Sequence, residues 1–414
     1  MGQAAFRETA DIESFDVQTR KTGSMEQQKS PLAVDVRIAD SPDAFKWLET
    51  DWRVLENQCE GAILFQTYDW CANFLDHACR NGDLEPGTVE MRVVTVRHYG
   101  VLTGLLPLAI RDDQGLRVLT GLTEPFQQYT EMLVAPGADP KQVFAQMLPK
   151  LRSSGADYLH FGQVRGDSSL FAAIDGAVPT SGEEDGAPYV PVANWPDFET
   201  YHQTVKAKTR KNMRNARNRL ERSAPLVHRR ARSGALLAEV IDRSFAGREA
   251  WLGRMGLTSR AFRNSGFGEF VERFKHEGKT GVPAIAFSLT HGDTPIADQW
   301  GFVHNGRYYA FMAGWDDAYE ESSPGKLHLG AILEDCFTEG VELADFMIPA
   351  ARYKFTWAVD AVPVRDYVMA LTLRGRVQNA IWLNFLRPLA KRIVFALPTG
   401  MRAALFKVLM PGKA

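Results

Sequence analysis

Apolar and polar positions along the chain repeat with a helical period in some segments and with a strand-like period in others. Helical spacing covers 41–58, where Ser41 is a good N-cap before Pro42, and 65–78. Strand-like runs follow in 91–113, with Tyr99-Gly100 as a hairpin turn. Further strands, a helix and one more strand then complete a first half of α-α-β-β-β-β-α-β order.

The second half repeats this order. A helical pattern over 235–251 precedes a meander of strands over 283–316 with a turn at Asn305-Gly306, and a helix from Pro324 to Glu339 leads to the strand "VELADFMI". A stretch rich in Gly, Glu, Asp and Pro, Ser181 to Pro191, marks a boundary between the halves. The pattern predicts an α/β chain with domains at 33–190 and 191–370, a disordered lead at 1–32 and a helical tail at 371–414.

Composition narrows the class of protein. The 414 residues are 45% apolar, which is enough for well-packed cores. The four Cys form no CxxC pair, so they are predicted to be buried free thiols in a reducing compartment, and no metal site is expected. No signal peptide or bilayer-spanning run is present, so a cytoplasmic protein is expected.

A strongly basic run, "KAKTRKNMRNARNRLER" at 206–222, has eight Lys or Arg and one acid in a chain of net charge −2. On a helix, an apolar stripe would lie beside Arg210 and Arg214. No aromatic residue is interleaved for base stacking, which disfavours single-stranded nucleic acid. The run therefore indicates a surface for a smaller anion, a solvated face, or an RNA contact, with RNA the least favoured ligand.

The segment after the meander has features of a phosphate site. Ser323 is a suitable N-cap and Pro324 suits the first helical position, so the first turn would present the amides of Gly325 and Lys326. Backbone amides and a positive charge at a helix N-terminus favour phosphate or pyrophosphate. The alternative is an ordinary capped helix.

Several motifs in this region and before it occur in a recognisable order. Ser323-Pro324-Gly325 is followed by Gly340, Asp345-Phe346, Tyr353-Lys354 and Trp357, and the earlier matches are "FQTYDW", "GVLTGLLPLAIR", "TRKNMRNARNRLER" and "REAWLGRMG". Over roughly 35–370 the chain resembles the acetyltransferases linked by name to cellulose biosynthesis, the CelD type of the GNAT superfamily. Leu252 departs from this pattern, which often has Lys there.

The resemblance implies two tandem GNAT-like domains, each a mixed, mostly antiparallel sheet flanked by helices. It also implies an acyl-CoA-dependent N- or O-acyltransferase. The related Fem-type transferases use the same double fold with aminoacyl-tRNA donors. Aminoacyl-tRNA-dependent transfer and a non-catalytic binding protein are therefore the alternatives.

The resemblance also assigns residues to roles. Ser323, Gly325 and Lys326 would bind coenzyme A phosphates, and the meander strand near Ala313 to Trp315 would polarise the carbonyl. The catalytic candidates are Asp298 and Asp316 as bases, and Tyr353 with Lys354 near the leaving thiolate. The acceptor-site candidates are Trp251, Arg254, His328, Arg210 and Arg214.

Each assignment has a structural alternative. Asp298 also suits a strand-end or structural carboxylate, and Asp316 a solvated position, and both alternatives are favoured over the role of base. The Tyr353-Lys354 pair suits packing and an ion pair with Asp345. His328 suits a capping or surface position, and Trp251 suits a core position.

The C-terminal tail is basic and amphipathic. After Asp366 no acid occurs, whereas eight Lys or Arg alternate with apolar and aromatic residues. Two short helices of this kind either bind an anionic membrane surface or cap the second domain. Membrane binding would place the protein peripherally on the inner face of the cytoplasmic membrane, with an envelope glycan, lipid or lipid-linked sugar as acceptor.

Overall fold

A computed structural model describes residues 34–378 except 60, 62, 81–88, 114, 177, 258 and 277. The predicted lead and most of the predicted tail lie outside these residues. The strands are β1 Val34–Ala39, β2 Val89–His98, β3 Val101–Asp113, β4 Leu116–Gly121, β5 Leu133–Val134, β6 Tyr158–Arg165, β7 Thr180–Val190, β8 Leu226–Ala231, β9 Ala284–His291, β10 Thr294–His304, β11 Arg307–Trp315, β12 Leu343–Asp345 and β13 Asp360–Ala370.

The helices are α1 Pro42–Trp47, α2 Glu49–Gln58, α3 Tyr68–Arg80, α4 Pro140–Arg152, α5 Ser169–Ile174, α6 Phe198–Thr204, α7 Ala207–Glu221, α8 Gly234–Met255, α9 Arg260–Arg263, α10 Phe267–Glu272, α11 Pro324–Thr338 and α12 Leu373–Gln378. The predicted N-cap of α1 is confirmed, since the Ser41 side chain accepts from the Ala44 amide. The hairpin turn at Asn305-Gly306 is also confirmed, with φ of 46° and 67°.

The described strands form one mixed, mostly antiparallel sheet flanked by helices, whereas the resemblance implies one such sheet in each of two domains. The strand order is β1-β2-β3-β4-β6-β13-β7-β12-β11-β10-β9-β8, and β5 pairs with β3. Two pairs are parallel, β4 with β6 and β11 with β12. The sheet therefore runs without interruption from the first half of the chain into the second.

The last strand, β13, lies in the middle of this sheet. It pairs antiparallel with β6 on one side, where Val364 lies opposite Arg165, and with β7 on the other, where Asp360 lies opposite Tyr189. The C-terminal part of the chain thus contributes a strand to the N-terminal part of the sheet. The domain bounds given above stay a prediction, because the sheet continues across them.

The stretch Ser181 to Pro191, predicted as a boundary between the halves, largely coincides with the strand β7. Its Gly, Pro and acidic residues are typical of loops. Its partners, β13 and β12, are distant in sequence, and their backbone hydrogen bonds override the local preference. The strand's first residues are exposed, which explains its polar composition.

Helices α8 and α11 cover opposite faces of strands β9 to β11. Leu237 and Ile241 of α8 share a core cluster with Trp300 and Met312, whereas Leu329 and Leu333 of α11 share another with Phe287 and Tyr308. Neighbouring residues of one strand belong to different clusters, as expected when successive side chains point to opposite faces. This packing fixes the cavity described next.

Candidate active site

A cavity of about 310 Å³ lies where the C-terminal half of α8 meets β11 and the segment after β12. Apolar and aromatic side chains form about half of its exposed wall, and polar groups form the rest. The lining residues are Gln128, Gly247, Arg248, Trp251, Arg254, Ser259, Ala261, Phe262, Phe267, Gln299, 310–315, Asp317, Leu329, Phe346, Ile348, Pro349, Ala351, Tyr353 and Lys354. A concave cavity that combines apolar walls with convergent polar groups is typical of a small-molecule site.

The cavity opens where two parallel strands separate. β11 and β12 pair only over 307–309 and 343–345, and the Phe346 amide then donates to the Pro188 carbonyl instead. Residues 310–315 of β11 line the cavity, and no described strand pairs with their outer edge. This edge therefore presents backbone donors and acceptors to a ligand. The predicted position of Ala313 to Trp315 beside the site agrees with this geometry.

A bulge shapes the same part of β11. The register shifts at Gly301 of β10, which lies opposite both Ala310 and Phe311. A Cβ at Gly301 would lie 1.9 Å from the Tyr309 carbonyl oxygen, so only glycine fits there. The bulge changes the direction of the β11 segment that lines the cavity.

Tyr353 and Lys354 both line the cavity, as the resemblance implies. The Lys354 Nζ donates to the carbonyl oxygens of Met347 at 2.8 Å and Pro349 at 2.9 Å, and burial lowers the pKa of Lys354 to about 8. Burial also raises the pKa of Tyr353, so its hydroxyl carries its proton at neutral pH. A protonated phenol and a held ammonium group thus lie on one wall.

The predicted direct ion pair between Lys354 and Asp345 was wrong. Asp345 is fully buried and pairs instead with Arg165, with Nη1 and Oδ2 2.6 Å apart. Its other oxygen accepts from the Tyr129 hydroxyl and the Met347 amide. Asp345 therefore fixes the backbone that holds Lys354 without touching its ammonium group.

Trp251 and Arg254 also line the cavity, from α8. Arg254 forms an ion pair with Asp317 at 2.7 Å. Arg248 lies one helical turn before Trp251. It was not singled out from the sequence, although it begins the quoted "REAW" motif. Its guanidinium carbon lies 4.5 Å from the centre of the Trp251 ring, and burial lowers the pKa of Arg248. The helical i,i+3 spacing of Arg248 and Trp251 was the available signal.

The two predicted bases do not line the cavity. Asp298 is buried on β10, and both its oxygens accept from Arg243 of α8, at 2.7 Å and 3.1 Å. Asp316 accepts from the Ala318 amide and caps the 3-10 turn Asp317–Ser322. These contacts correspond to the structural alternatives for both residues.

The start of α11 differs from the expected phosphate site. Pro324 occupies the first turn as predicted, but the Ser323 side chain makes no capping bond and its φ is 49°. The Lys326 amide already donates to the Ser323 carbonyl at 3.0 Å. A Cβ at Gly325 would meet the Trp315 ring at an ordinary 3.5 Å. None of these three predicted residues lines the cavity, although Gly325 borders it through Trp315.

The prediction of a surface or capping position for His328 was wrong, and His328 does not line the cavity either. It is buried in α11, and its ring lies 5.5 Å from that of His228. Burial holds the pKa of His328 well below its usual range, so the ring is neutral. Helical periodicity alone did not show that this face of α11 is covered by β8 and β9.

Arg210 and Arg214 lie on α7, outside the cavity. Arg214 is exposed, and Arg210 donates to Gln203. Helix α7 packs beside the turn before α11, where Arg219 donates to the Glu321 carbonyl and to the Ser322 hydroxyl. The basic run is therefore a helix with one docked side, as predicted, next to the start of α11.

The prediction of buried thiols holds for three cysteines. Cys59, Cys71 and Cys336 are buried free thiols. Within the described ranges no cluster of three metal-ligating side chains occurs. Among the helices of those ranges, none combines the length and apolar character needed to cross a bilayer.

Comparison with known proteins agrees with this fold. Residues 207–355 match the family model described as an acetyltransferase (GNAT) domain. A search of curated proteins found no match. The CelD-type branch expected from the motifs is not confirmed by these comparisons.

The structure is similar to several solved structures. It matches FemX with a TM-score of 0.54 and 9% identity, over 80% of this chain and 98% of that chain. It also matches a tandem GNAT protein from the clavulanic acid biosynthesis pathway, with a TM-score of 0.44, 14% identity, and coverage of 82% and 98%. The C-terminal domain of a lysylphosphatidylglycerol synthetase from Agrobacterium fabrum, described as putative in its name, matches with a TM-score of 0.47, 14% identity, and coverage of 82% and 98%.

Proposed function

We propose that this chain is an acyltransferase that moves an acyl group from a coenzyme A thioester to an amine. The observation that carries the proposal is the opening between β11 and β12, where a free strand edge, Tyr353 and Lys354 face one cavity. The match of residues 207–355 to a GNAT domain supports the same reaction class. GNAT domains typically use acetyl-CoA.

The described residues fit the donor in two places. The unpaired edge of β11 offers alternating amides and carbonyls to the extended amide-containing arm of coenzyme A. The phosphates would lie toward Lys326 and the basic face of α7, including Arg219. The turn Asp317–Ser322 is acidic and would repel a phosphate bound next to it. The phosphates would therefore be held by the basic side chains.

Tyr353, which lines the cavity, would supply the proton that the leaving sulfur needs. An acyl thioester supplies an activated carbonyl carbon and a thiolate leaving group. As the acceptor nitrogen forms its bond to this carbon and the carbon–sulfur bond breaks, Tyr353 donates its proton to the sulfur. The nitrogen releases one proton, which restores the Tyr353 hydroxyl, so the reaction balances.

Lys354 would stabilise negative charge near the same place. An ammonium group has three donors, and two of those on Lys354 are used by the Met347 and Pro349 carbonyls. The third is left for a developing negative charge in the cavity. Because the two carbonyls fix the ammonium group, little reorganisation is needed during the reaction.

The acceptor would be an envelope glycan, a lipid or a lipid-linked sugar. This part of the proposal depends on the basic amphipathic sequence after Asp366, which would bring the protein to an anionic membrane surface. The protein would then work on the cytoplasmic side of that membrane.

A second candidate is transfer from an aminoacyl-tRNA. The exposed basic side of α7 favours it, because eight Lys or Arg in 206–222 could contact phosphates of an RNA. The two candidates differ in the donor that binds.

Calorimetric titration with acetyl-CoA tests the leading proposal. We expect binding by the unmodified chain, and at least about tenfold weaker binding by Lys326→Glu. Lys141→Glu, at an exposed site on α4, is the matched charge control and should bind as the unmodified chain does. Salt-sensitive binding of tRNA without binding of acetyl-CoA would replace this proposal with the second candidate.

A kinetic test follows once an acceptor is found. Tyr353→Phe should lower kcat by about 10²-fold or more while acetyl-CoA affinity is kept. Tyr99→Phe, at an exposed hairpin, should leave kcat unchanged. Equal rates for Tyr353→Phe and the unmodified chain would remove Tyr353 from the chemistry.

A further inference from the structure

The charges lining the cavity do not balance. Three cationic side chains line it, those of Arg248, Arg254 and Lys354. Asp317 is the one carboxylate among the described lining residues, and it already pairs with Arg254. Arg248 and Lys354 are therefore left without a neutralising carboxylate in the cavity.

Arg248 is the cation with donors to spare. Lys354 uses two of its three donors on carbonyl oxygens, whereas no ion pair or hydrogen bond is found for Arg248 in the part of the chain that the structure describes. Its guanidinium instead lies over the Trp251 ring, 4.5 Å from its centre. A guanidinium is charged at any ordinary pH, and leaving it half-buried without an anion costs free energy.

The Trp251 ring holds this charge by a cation–π contact. This contact uses none of the guanidinium N–H donors in a hydrogen bond, so they stay free for a ligand. The planar edge of a guanidinium matches two oxygens of a carboxylate or phosphate. The same cavity is also lined by Phe262, Phe267 and Phe311 and by polar residues such as Gln128 and Gln299.

We propose that Arg248 and Trp251 form an anion subsite for the acceptor, which carries a carboxylate or phosphate close to its nucleophilic amine. The subsite recognises the acceptor rather than the donor phosphates, because the basic residues nearest the start of α11 lie outside the cavity. A cavity of about 310 Å³ has room only for a small group. The anion and the amine would therefore belong to one small molecule or to the end of a larger one. This inference rests on the proposed function.

Binding of matched small amines tests the subsite. The probes are O-phosphoethanolamine and β-alanine. They are compared with ethanolamine and β-alaninamide, which keep the amine but lack the anionic group, in calorimetric titrations of the full chain. We expect the two anionic amines to bind about tenfold or more tightly than their counterparts. The tighter of the two identifies phosphate or carboxylate as the group recognised.

Three variants locate the effect. Arg248→Gln should abolish the preference for the anionic amines, and Arg248→Lys should keep part of it. Arg263→Gln removes an exposed arginine of α9 outside the cavity and should keep all of it. A preference that persists in Arg248→Gln, or is absent from the unmodified chain, overturns the inference.

Acetyl-CoA titrations separate this inference from the donor proposal and also report that the variants are folded. Unchanged acetyl-CoA affinity in Arg248→Gln, with loss of the preference, supports an acceptor subsite. Loss of acetyl-CoA affinity in that variant, with the preference kept, would make Arg248 a donor residue and overturn the inference. In a further outcome, the unmodified chain prefers the anionic amines through Arg248 without binding acetyl-CoA. That result would support the subsite and refute the proposal that acetyl-CoA is the donor.

Discussion

Lys354 shows how a single residue links the cavity to stability. It is 7% exposed, and burial disfavours its charged form, so its pKa falls to about 8 from 10.5 in the unfolded chain. Below pH 8 both states carry the charge, and the folded state bears the full cost of burying it. Between the two pKa values the unfolded chain binds more protons, so stability increases with pH.

The expected result is a pH-dependent difference between the unmodified chain and Lys354→Met. Relative to this variant, the unmodified chain should gain stability as the pH rises from about 8 to about 10.5, approaching about 3 kcal/mol. Urea unfolding of both proteins across this range measures the difference, and other titrating groups cancel in it. A constant difference would contradict the buried position of the ammonium group.

Asp345 and Arg165 form a buried ion pair between the two halves of the chain. Both side chains are fully buried, and the pair is 2.6 Å long. Asp51 and Arg97 form an ion pair of the same length at the surface. The two pairs therefore separate the effect of burial from the effect of distance.

Asp345→Asn should lower the free energy of unfolding by about 3 kcal/mol, because it leaves part of a buried guanidinium unpaired. Asp51→Asn should cost less than about 1 kcal/mol, because water screens the exposed pair. Chemical denaturation of both variants measures these values. Equal costs would show that burial does not determine the strength of this pair.

The sequence located some residues of the site and not others. Tyr353, Lys354, Trp251 and Arg254 belong to motifs of the resemblance, and all four line the cavity. Asp298 is buried on β10. Its partner Arg243 could not be predicted, because the contact depends on how α8 packs across β10.

At the scale of elements, the β11 bulge depends on Gly301. The neighbouring strand comes so close that an added Cβ would lie 1.9 Å from the Tyr309 carbonyl oxygen. Backbone cannot move away from this position without loss of strand pairing. The shape of the cavity wall thus depends on a residue outside the cavity.

Gly301→Ala should destabilise the fold and weaken acetyl-CoA binding together, since the bulge and the lining edge of β11 must both shift. Gly253→Ala is the control, because nothing lies within 4 Å of the added Cβ in α8. That change should be neutral or stabilise by about 0.5–1 kcal/mol. Thermal unfolding measures the stability of both variants, and calorimetry measures their binding of acetyl-CoA. Normal binding by Gly301→Ala would contradict the link between the bulge and the shape of the cavity.

Elements with strong local patterns were predictable, and elements defined by distant partners were not. Helix α11 and the hairpin between β10 and β11 follow from periodicity and turn residues. The strand β7 does not, because its composition is that of a loop. The strand β12 is three residues long where the pattern suggested eight, because the chain leaves β11 to form the cavity.

At the scale of the whole molecule, the two halves share one sheet and part of one core. Trp70 of α3 packs against Phe274 and against Phe302 of β10. The strand β13 adds main-chain hydrogen bonds to β6 and β7. Neither half keeps all of its partners when the other is absent.

A chain that ends at residue 355, where the match to the GNAT domain ends, should therefore not fold stably, because β6 and β7 lose the strand between them. A chain that ends at residue 378 keeps every described strand and should fold. Circular dichroism and size-exclusion chromatography of the two chains make the comparison. A folded, monomeric 355-residue chain would show that β13 is dispensable.

The position of β13 also sets the order of events during synthesis. The ribosome makes β6 and β7 long before β13, and the delay is roughly ten to forty seconds at ordinary elongation rates. During this time one edge of β6 and both edges of β7 lack their partners and can pair with neighbouring nascent chains. Completion of the N-terminal half therefore waits for the synthesis of β13, and a ribosome that stalls before it would hold an unfinished sheet rather than a finished first domain.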